Sequence, residues 1–142
     1  MQANLPGIKY DADSMKIMAM FEGITGARIK DAIFEEERII FIVQPGDMGM
    51  AIGKNGSNIR KLEGMLRTKV KLVEFYDDAA RFISNFIYPL RAVSIDNMDG
   101  EITIKGADTK TRGLMIGRER KNLETLKDIV KRYFDVKEIR VV

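Results

Sequence analysis

The first part of the chain shows a helical hydrophobic spacing followed by two short runs typical of strands. Met15, Met18, Phe21 and Ile24 recur at the interval of a helix that Gly26 stops. The candidate caps of this helix are Asp11, Asp13 and Ser14. Residues 29–34 and Ile39–Val43 then predict a hairpin with its turn at Glu35–Glu37. The second strand is apolar at every position, so we expect burial on both of its faces.

Helical spacing returns after the loop that follows Val43. A short helix is predicted from Gly49, then a glycine-containing stretch, Gly53-Lys54-Asn55-Gly56, then a longer helix that starts near Ser57. Ile59, Leu62 and Leu66 recur on one face of the longer helix, and Arg60, Lys61 and Arg67 lie off that face. Residues 70–76 predict a strand. The predicted order of this part is therefore α-β-β-α-α-β.

The rest of the chain predicts the same order of elements. Asp77 and Asp78 can cap a helix over residues 79–88 that Pro89 ends. Two alternating stretches flank Asp99-Gly100, which is a strong signal for a two-residue hairpin. A short helix, a long helix over 118–134 and a strand over 136–142 follow. The spacing in the long helix predicts four inward positions, at Leu123, Leu126, Val130 and either Tyr133 or Phe134. The second part also predicts α-β-β-α-α-β.

The two parts align residue by residue across the glycine-containing stretch. Gly49 falls on Gly113, Gly53 on Gly117 and Asn58 on Asn122, a constant offset of 64 residues. Ile52, Lys54 and Leu62 fall likewise on Ile116, Arg118 and Leu126. We interpret the chain as two copies of one small α+β unit, with domains at 1–76 and 77–142.

Composition narrows the functions that this pattern can have. The chain of 142 residues has no Cys and no His, which removes the usual nucleophile, general base and soft metal ligands. The longest apolar runs are short and the start of the chain lacks a signal-peptide pattern, so we expect a cytoplasmic protein with no membrane contact. The net charge of +3 permits an acidic partner without requiring one.

The glycine stretch has the chemistry of a phosphate-binding site. Glycine lets a ligand approach the backbone closely, and the first turn of a helix offers amides with partial positive charge. Positive charge is also concentrated around both copies of this stretch. Residues 53–71 hold six basic residues and one acid, and residues 110–132 hold eight and three, so the remainder is acidic overall. This distribution is typical of a nucleic-acid footprint.

Several of these residues also have a structural explanation that involves no ligand. A glycine turn alone is more often structural, and only the repeat and the flanking basic helices favour a ligand site. The phosphate loop of nucleotide hydrolases does not fit, because Gly49 to Gly53 is one residue too short and Asn55 stands where Ser or Thr is needed. Glu35–Glu37 is better explained as a solvated hairpin end, and Asp77 and Asp78 as helix caps. We therefore expect a binding protein and not an enzyme, with no cofactor, metal or small-molecule substrate.

The element order with "IGKNG" between two helices resembles a type II KH domain, whose GxxG loop clamps single-stranded RNA. Two such units in tandem resemble the archaeal NusA-like transcription factors. The resemblance implies a fold of two three-stranded sheets covered by helices, and a role in elongation, termination or antitermination. RNA is the implied partner, and RNA polymerase is a second candidate. The implied RNA-binding residues are Ile52, Gly53, Lys54, Asn55, Gly56, Ser57, Arg60, Lys61, Gly117, Arg118, Arg120 and Lys121.

The second loop departs from the pattern of the family. It spans residues 117–120, and Arg120 replaces its last glycine while Glu119 adds a negative charge. An arginine there could obstruct the RNA backbone or contact a phosphate itself. Three alternatives stay open: a KH-type protein of ribosome assembly or RNA processing, a protein-interaction module in which the second unit docks onto a partner, and an enzyme that would have to depend on carboxylates and lysines.

Overall fold

The computed structural model describes residues 12–142, which form two compact α+β units divided between Phe75 and Tyr76. Each unit contains one three-stranded sheet and three helices. The order α-β-β-α-α-β predicted for both parts is the order observed in both. No helix in the described range is long and apolar enough to cross a membrane.

The first unit is built around the sheet order β1-β2-β3, in which β1 and β2 are antiparallel and β2 and β3 are parallel. A parallel β2–β3 pair requires a crossover, which α2 and α3 supply. The bounds of its elements are α1 Ala12–Thr25, β1 Ile29–Phe34, β2 Arg38–Val43, α2 Met48–Ile52, α3 Ser57–Leu66 and β3 Lys69–Glu74.

The second unit repeats this topology with the sheet order β4-β5-β6. Asp99 (φ 54°) and Gly100 (φ 89°) form its predicted hairpin turn, and positive φ at both positions is the mark of a type I′ turn. The bounds of its elements are α4 Ala79–Ile87, β4 Ala92–Met98, β5 Glu101–Gly106, α5 Thr109–Ile116, α6 Lys121–Tyr133 and β6 Glu138–Val141.

The core of the first unit lies between its helices and one face of its sheet. Phe21 of α1 stacks on Phe41 of β2 with ring centroids 4.5 Å apart, and Leu62 of α3 is fully buried beside them. Ile40 and Ile42, which point to the other face of β2, are equally buried. The prediction that β2 is buried on both faces is therefore confirmed.

The core of the second unit uses the inward residues that the spacing of α6 predicted. Leu123, Leu126 and Val130 are buried. Tyr133 and Phe134 were alternatives for the last inward position, and the rings of both lie within 6 Å of the Phe82 ring, at 5.8 and 5.9 Å. The end of α6 thus packs against α4 through three aromatic rings.

Several predicted boundaries and caps differ from the structure. Ser14 lies inside α1 and does not cap it, and Asp11 lies outside the described residues. Arg67 follows the last residue of α3 in a left-handed conformation, so it caps the helix end and is not on the helix. The third strand runs from Lys69 to Glu74 and ends two residues before the predicted end.

Two predicted surface acids have structural partners. The carboxylate of Asp78 accepts a hydrogen bond from the Arg81 amide at 3.0 Å, so the predicted N-cap of α4 is confirmed. In the first hairpin turn, Glu35 was expected to be solvated, but its carboxylate pairs with the Arg38 guanidinium at 2.7 Å. That pair closes the base of the hairpin, since the Glu35 amide also donates to the Arg38 carbonyl.

Candidate nucleic-acid interface

The first glycine loop lies at the surface between α2 and α3. α2 ends at Ile52, and Gly53 (φ 79°, ψ 168°) turns the chain out of the helix. Lys54–Gly56 then form a 3-10 turn in which Asn55 (φ 56°) and Gly56 (φ 75°) are left-handed. Lys54, Asn55 and Ser57 are exposed, while the two glycines are half-buried. A ligand in solution can therefore reach the loop.

The hydrogen bonds of this loop decide which amides can meet a ligand. The amide of Gly56 donates to the Gly53 carbonyl at 3.1 Å, and that of Ser57 donates to the Lys54 carbonyl. The free amides expected in the first turn of the helix that starts near Ser57 therefore do not include that of Ser57. The amides without an acceptor in the turn are instead those of Lys54 and Asn55, because the first residues of a helical turn have no acceptor within it. A helical residue followed by a left-handed one, as at Lys54 and Asn55, makes a concave backbone that can bind an anion.

The predicted cations of the first site have different roles in the structure. Lys54 lies on the loop and Lys61 on α3, and both are exposed. The guanidinium of Arg60 donates to the Asn55 carbonyl at 2.6 Å, so Arg60 braces the loop as well as adding charge. Lys71 pairs with Ile40 on the sheet face opposite the helices, and burial lowers the pKa of its ammonium group. Lys71 therefore does not belong to this site, although it was counted in the basic segment.

Apolar side chains flank the loop in the region of the edge strand β3. Ile52 and Ile59 are half-buried, and Met50 has 51% of its side chain exposed. Both α2 and α3 contact β3, which is an edge strand of the first sheet. The structure thus brings the predicted apolar residues, the loop and a strand edge into one region, where flat bases have both apolar contacts and backbone hydrogen-bonding groups within reach.

Ion pairs and hydrogen bonds fix the chain that leads into α2. The Asp47 carboxylate accepts from the Arg28 amide at 2.8 Å and from the Arg28 guanidinium at 3.0 Å. This side-chain hydrogen bond lowers the pKa of Asp47. The Gly46 amide donates to the Glu74 carboxylate at 2.7 Å. The entrance to α2 is therefore tied to the start of β1 and the end of β3.

The second loop has the same backbone shape as the first despite its changed sequence. Gly117 has φ 81° and ψ 169°, Glu119 has φ 55° and ψ 31°, and Arg120 has φ 63° and ψ 17°. The corresponding residues of the first loop, Gly53, Asn55 and Gly56, differ from these by 12° or less in every angle. A left-handed conformation costs a non-glycine residue about 1–2 kcal/mol. The second loop therefore keeps this shape against an intrinsic preference.

One positive charge of the second loop, that of Arg120, is partly neutralised by an acid of the same unit. Arg118, Arg120 and Lys121 are exposed, as a binding role requires. The Arg120 guanidinium lies 3.5 Å from the Glu124 carboxylate, which turns it along α6. Arg120 thus neither folds over the loop nor buries its charge.

Sequence reasoning missed one pair of residues at these loops. The side-chain amide of Asn58 donates to the Met50 carbonyl at 2.9 Å, and that of Asn122 donates to the Leu114 carbonyl at the same distance. The repeat alignment placed these asparagines opposite each other but gave them no role. The signal in the sequence was that both positions, 64 residues apart, hold asparagine.

A unit of order α-β-β-α-α-β with an exposed glycine loop between its last two helices has the arrangement of a KH domain. The family profile described as KH domain matches residues 16–77. The chain is 32% identical to the probable transcription termination protein NusA of Methanococcus vannielii, over 95% of this chain and 80% of that protein. It is 30% identical to the protein of the same name from Halobacterium salinarum, over 94% and 98%.

The chain belongs to the family of archaeal NusA-like KH proteins, since these relatives align over nearly all of its length. The protein of the same name from Methanocaldococcus jannaschii is 32% identical, over 95% of this chain and 75% of that protein. A solved structure, the crystal structure of APE1850, superposes with a TM-score of 0.73 at 25% identity and covers 94% of this chain.

Proposed function

We propose that this protein is a single-stranded RNA-binding transcription factor that acts in elongation, termination or antitermination by clamping nascent RNA. The observation that carries the proposal is the exposed first loop, where the Lys54 and Asn55 amides have no acceptor within the 3-10 turn and where Lys54 and Lys61 are exposed. The names of its relatives connect the family with transcription termination. A cytoplasmic location and contact with RNA polymerase belong to the same proposal.

In the proposed complex, the sugar-phosphate backbone passes over Gly56, whose missing side chain leaves room for it. Lys54 and Lys61 pair with phosphates, Asn55 and the hydroxyl of Ser57 donate hydrogen bonds, and bases lie against Ile52 and Ile59. The proposed activity is RNA binding, with no chemical reaction. The absence of Trp and the low aromatic content of 8% favour an aliphatic groove over a stacking platform.

The second unit is proposed to be a second KH domain, so that the domains are 1–76 and 77–142. Its repeated loop shape supports an RNA contact through Gly117, Arg118, Arg120 and Lys121. A protein-docking role for this unit is favoured by a different observation. Glu119 on the loop and the Arg120–Glu124 pair both reduce its attraction for phosphate.

Gly56→Asp tests the RNA contact of the first loop. A Cβ at Gly56 would meet only the Arg60 guanidinium, at 3.2 Å, whereas a Cβ at Gly53 would lie 2.8 Å from Asn58, so Gly56 is the cleaner position. We expect Gly56→Asp to weaken binding of a single-stranded RNA oligonucleotide at least about tenfold, because it obstructs and repels the phosphate. Gly23→Asp is the matched control, since Gly23 is exposed on α1 and a Cβ there meets nothing within 4 Å. Equal affinities of the two folded variants would contradict the site.

Crosslinking in cells separates transcription from other RNA-binding roles. RNA crosslinked to the protein would be recovered and sequenced from wild-type and Gly56→Asp cells. Recovery dominated by nascent transcripts, and lost in the variant, is the result expected for a transcription factor. Recovery dominated by ribosomal RNA would instead indicate ribosome assembly or RNA processing.

A further inference from the structure

Both loops contain the same side-chain hydrogen bond across their bases. Asn58 and Asn122 each donate to a carbonyl eight residues earlier, that of Met50 and that of Leu114. Those carbonyls lie in the last turns of α2 and α5, where the chain turns away at Gly53 and Gly117 before a following amide can reach them. Each asparagine therefore ties the first residues of the helix after the loop to the end of the helix before it.

The first glycine of each loop fits directly beneath this asparagine. A Cβ built on Gly53 would lie 2.8 Å from the side chain of Asn58 and equally close to its backbone nitrogen. A Cβ on Gly117 would lie 2.6 Å from the side chain of Asn122. Any side chain at either glycine would therefore displace the asparagine or the loop. The first glycine thus serves the internal packing of the loop as well as its positive φ.

The last position of each loop does not share this constraint. A Cβ on Gly56 would meet only the end of the flexible Arg60 side chain. In the second loop Arg120 stands at that position, and the backbone keeps the same shape. The shape therefore persists without the last glycine where the pair of first glycine and asparagine is retained.

We propose that Asn58 and Asn122 are positioning residues, which hold the loops in the form that presents their backbone amides to RNA phosphates. The inference rests on the proposed function for its ligand and on the contacts above for its geometry. The loop residues then have two separate roles, setting the loop shape and leaving space for RNA. Gly53 and Asn58 set the loop shape, and Gly56 leaves space for the ligand.

The test compares Asn58→Ala, Gly53→Ala and the double variant in the full chain. Amide chemical shifts and hydrogen exchange of residues 54–56 are measured without RNA, together with Tm and the affinity for a single-stranded RNA oligonucleotide. We expect Asn58→Ala to shift these amides, to speed their exchange and to lower RNA affinity about fivefold, the equivalent of one side chain–backbone hydrogen bond. Gly53→Ala presses on both the side chain and the backbone nitrogen of Asn58, so the part of its Tm cost that comes from the side chain should disappear in the Asn58→Ala background and the rest should remain.

Asn97→Ala is the matched control for loss of one asparagine hydrogen bond. The side chain of Asn97 accepts from the Gly100 amide at 2.9 Å in the second hairpin and belongs to neither loop. It should lower Tm by a similar amount and leave RNA affinity and the amides of residues 54–56 unchanged. Wild-type loop shifts in Asn58→Ala, or additive Tm losses of Asn58→Ala and Gly53→Ala, would overturn the inference. If the wild-type chain bound no RNA, the proposed function would fail, while the shifts and Tm values would still decide the positioning role.

Discussion

Removal of the Lys54 charge should change how the affinity for RNA depends on salt. Lys54 is exposed on the first loop, so we use the attraction of two unit charges in water, about 1 kcal/mol at 4 Å, which corresponds to about a fivefold loss of affinity in Lys54→Gln. A lost phosphate contact also flattens the plot of log affinity against log salt by about 0.7 for a single strand. The ratio of wild-type to variant affinity should therefore fall about 2.6-fold between about 50 and about 200 mM salt.

The assay is fluorescence anisotropy of a labelled single-stranded RNA titrated with each protein across that salt range. Lys30→Gln is the matched control, because it removes the same charge from β1 at the opposite edge of the sheet from β3. The Lys30 ammonium lies 4.6 Å from the Phe75 ring centroid, so its loss affects packing locally. The reasoning would be refuted if Lys30→Gln and Lys54→Gln changed the salt slope equally, or if Lys54→Gln left it at the wild-type value.

Three further predictions concern stability, pH and the second loop. Leu62→Ala should reduce the free energy of unfolding by about 2–5 kcal/mol because Leu62 is fully buried, whereas Met65→Ala, 54% exposed, should change it by less than about 0.5 kcal/mol, as denaturant unfolding would show. The hydrogen bond from Arg28 lowers the pKa of the Asp47 carboxyl. The pair therefore stabilises the fold above the pKa that Asp47 has in the unfolded chain, and this stabilisation is lost as the pH falls through the lower pKa that Asp47 has in the folded chain. The Tm difference between wild type and Asp47→Asn should therefore shrink below about pH 4, and a difference that stayed constant would contradict this. Arg120→Gly should lower RNA affinity in the same anisotropy assay because it removes a proposed RNA contact, and an affinity equal to that of the wild type would contradict that contact; Tm should change by less than about 4 °C because relief of backbone strain opposes the greater freedom of unfolded glycine.

Features that depend on residue type and local spacing were predictable from the sequence. The Asp99-Gly100 hairpin follows from two residues that tolerate positive φ, and both adopt it. The buried strand β2 follows from its unbroken apolar run, and the inward face of α6 from its periodicity. These features are set by the residues within one element, so no knowledge of the tertiary structure was needed.

Features that depend on where the chain turns in space were not predictable. Free amides were expected in the first turn of the helix near Ser57, but the 3-10 turn before α3 supplies the Lys54 carbonyl as the acceptor of the Ser57 amide. Lys71 lies in the basic segment by sequence, yet strand alternation places it on the face away from the helices. The Asn58 bond to Met50 joins two helices across a turn, so only the folded loop identifies its acceptor.

The most direct test of the central claim is an NMR titration of the full chain with a single-stranded RNA oligonucleotide. The account predicts that the amides of Lys54, Asn55 and Gly56 shift progressively with added RNA, and that these shifts weaken as salt is raised. Unchanged loop amides during saturable RNA binding, with the shifts instead on residues outside both loops, would contradict it.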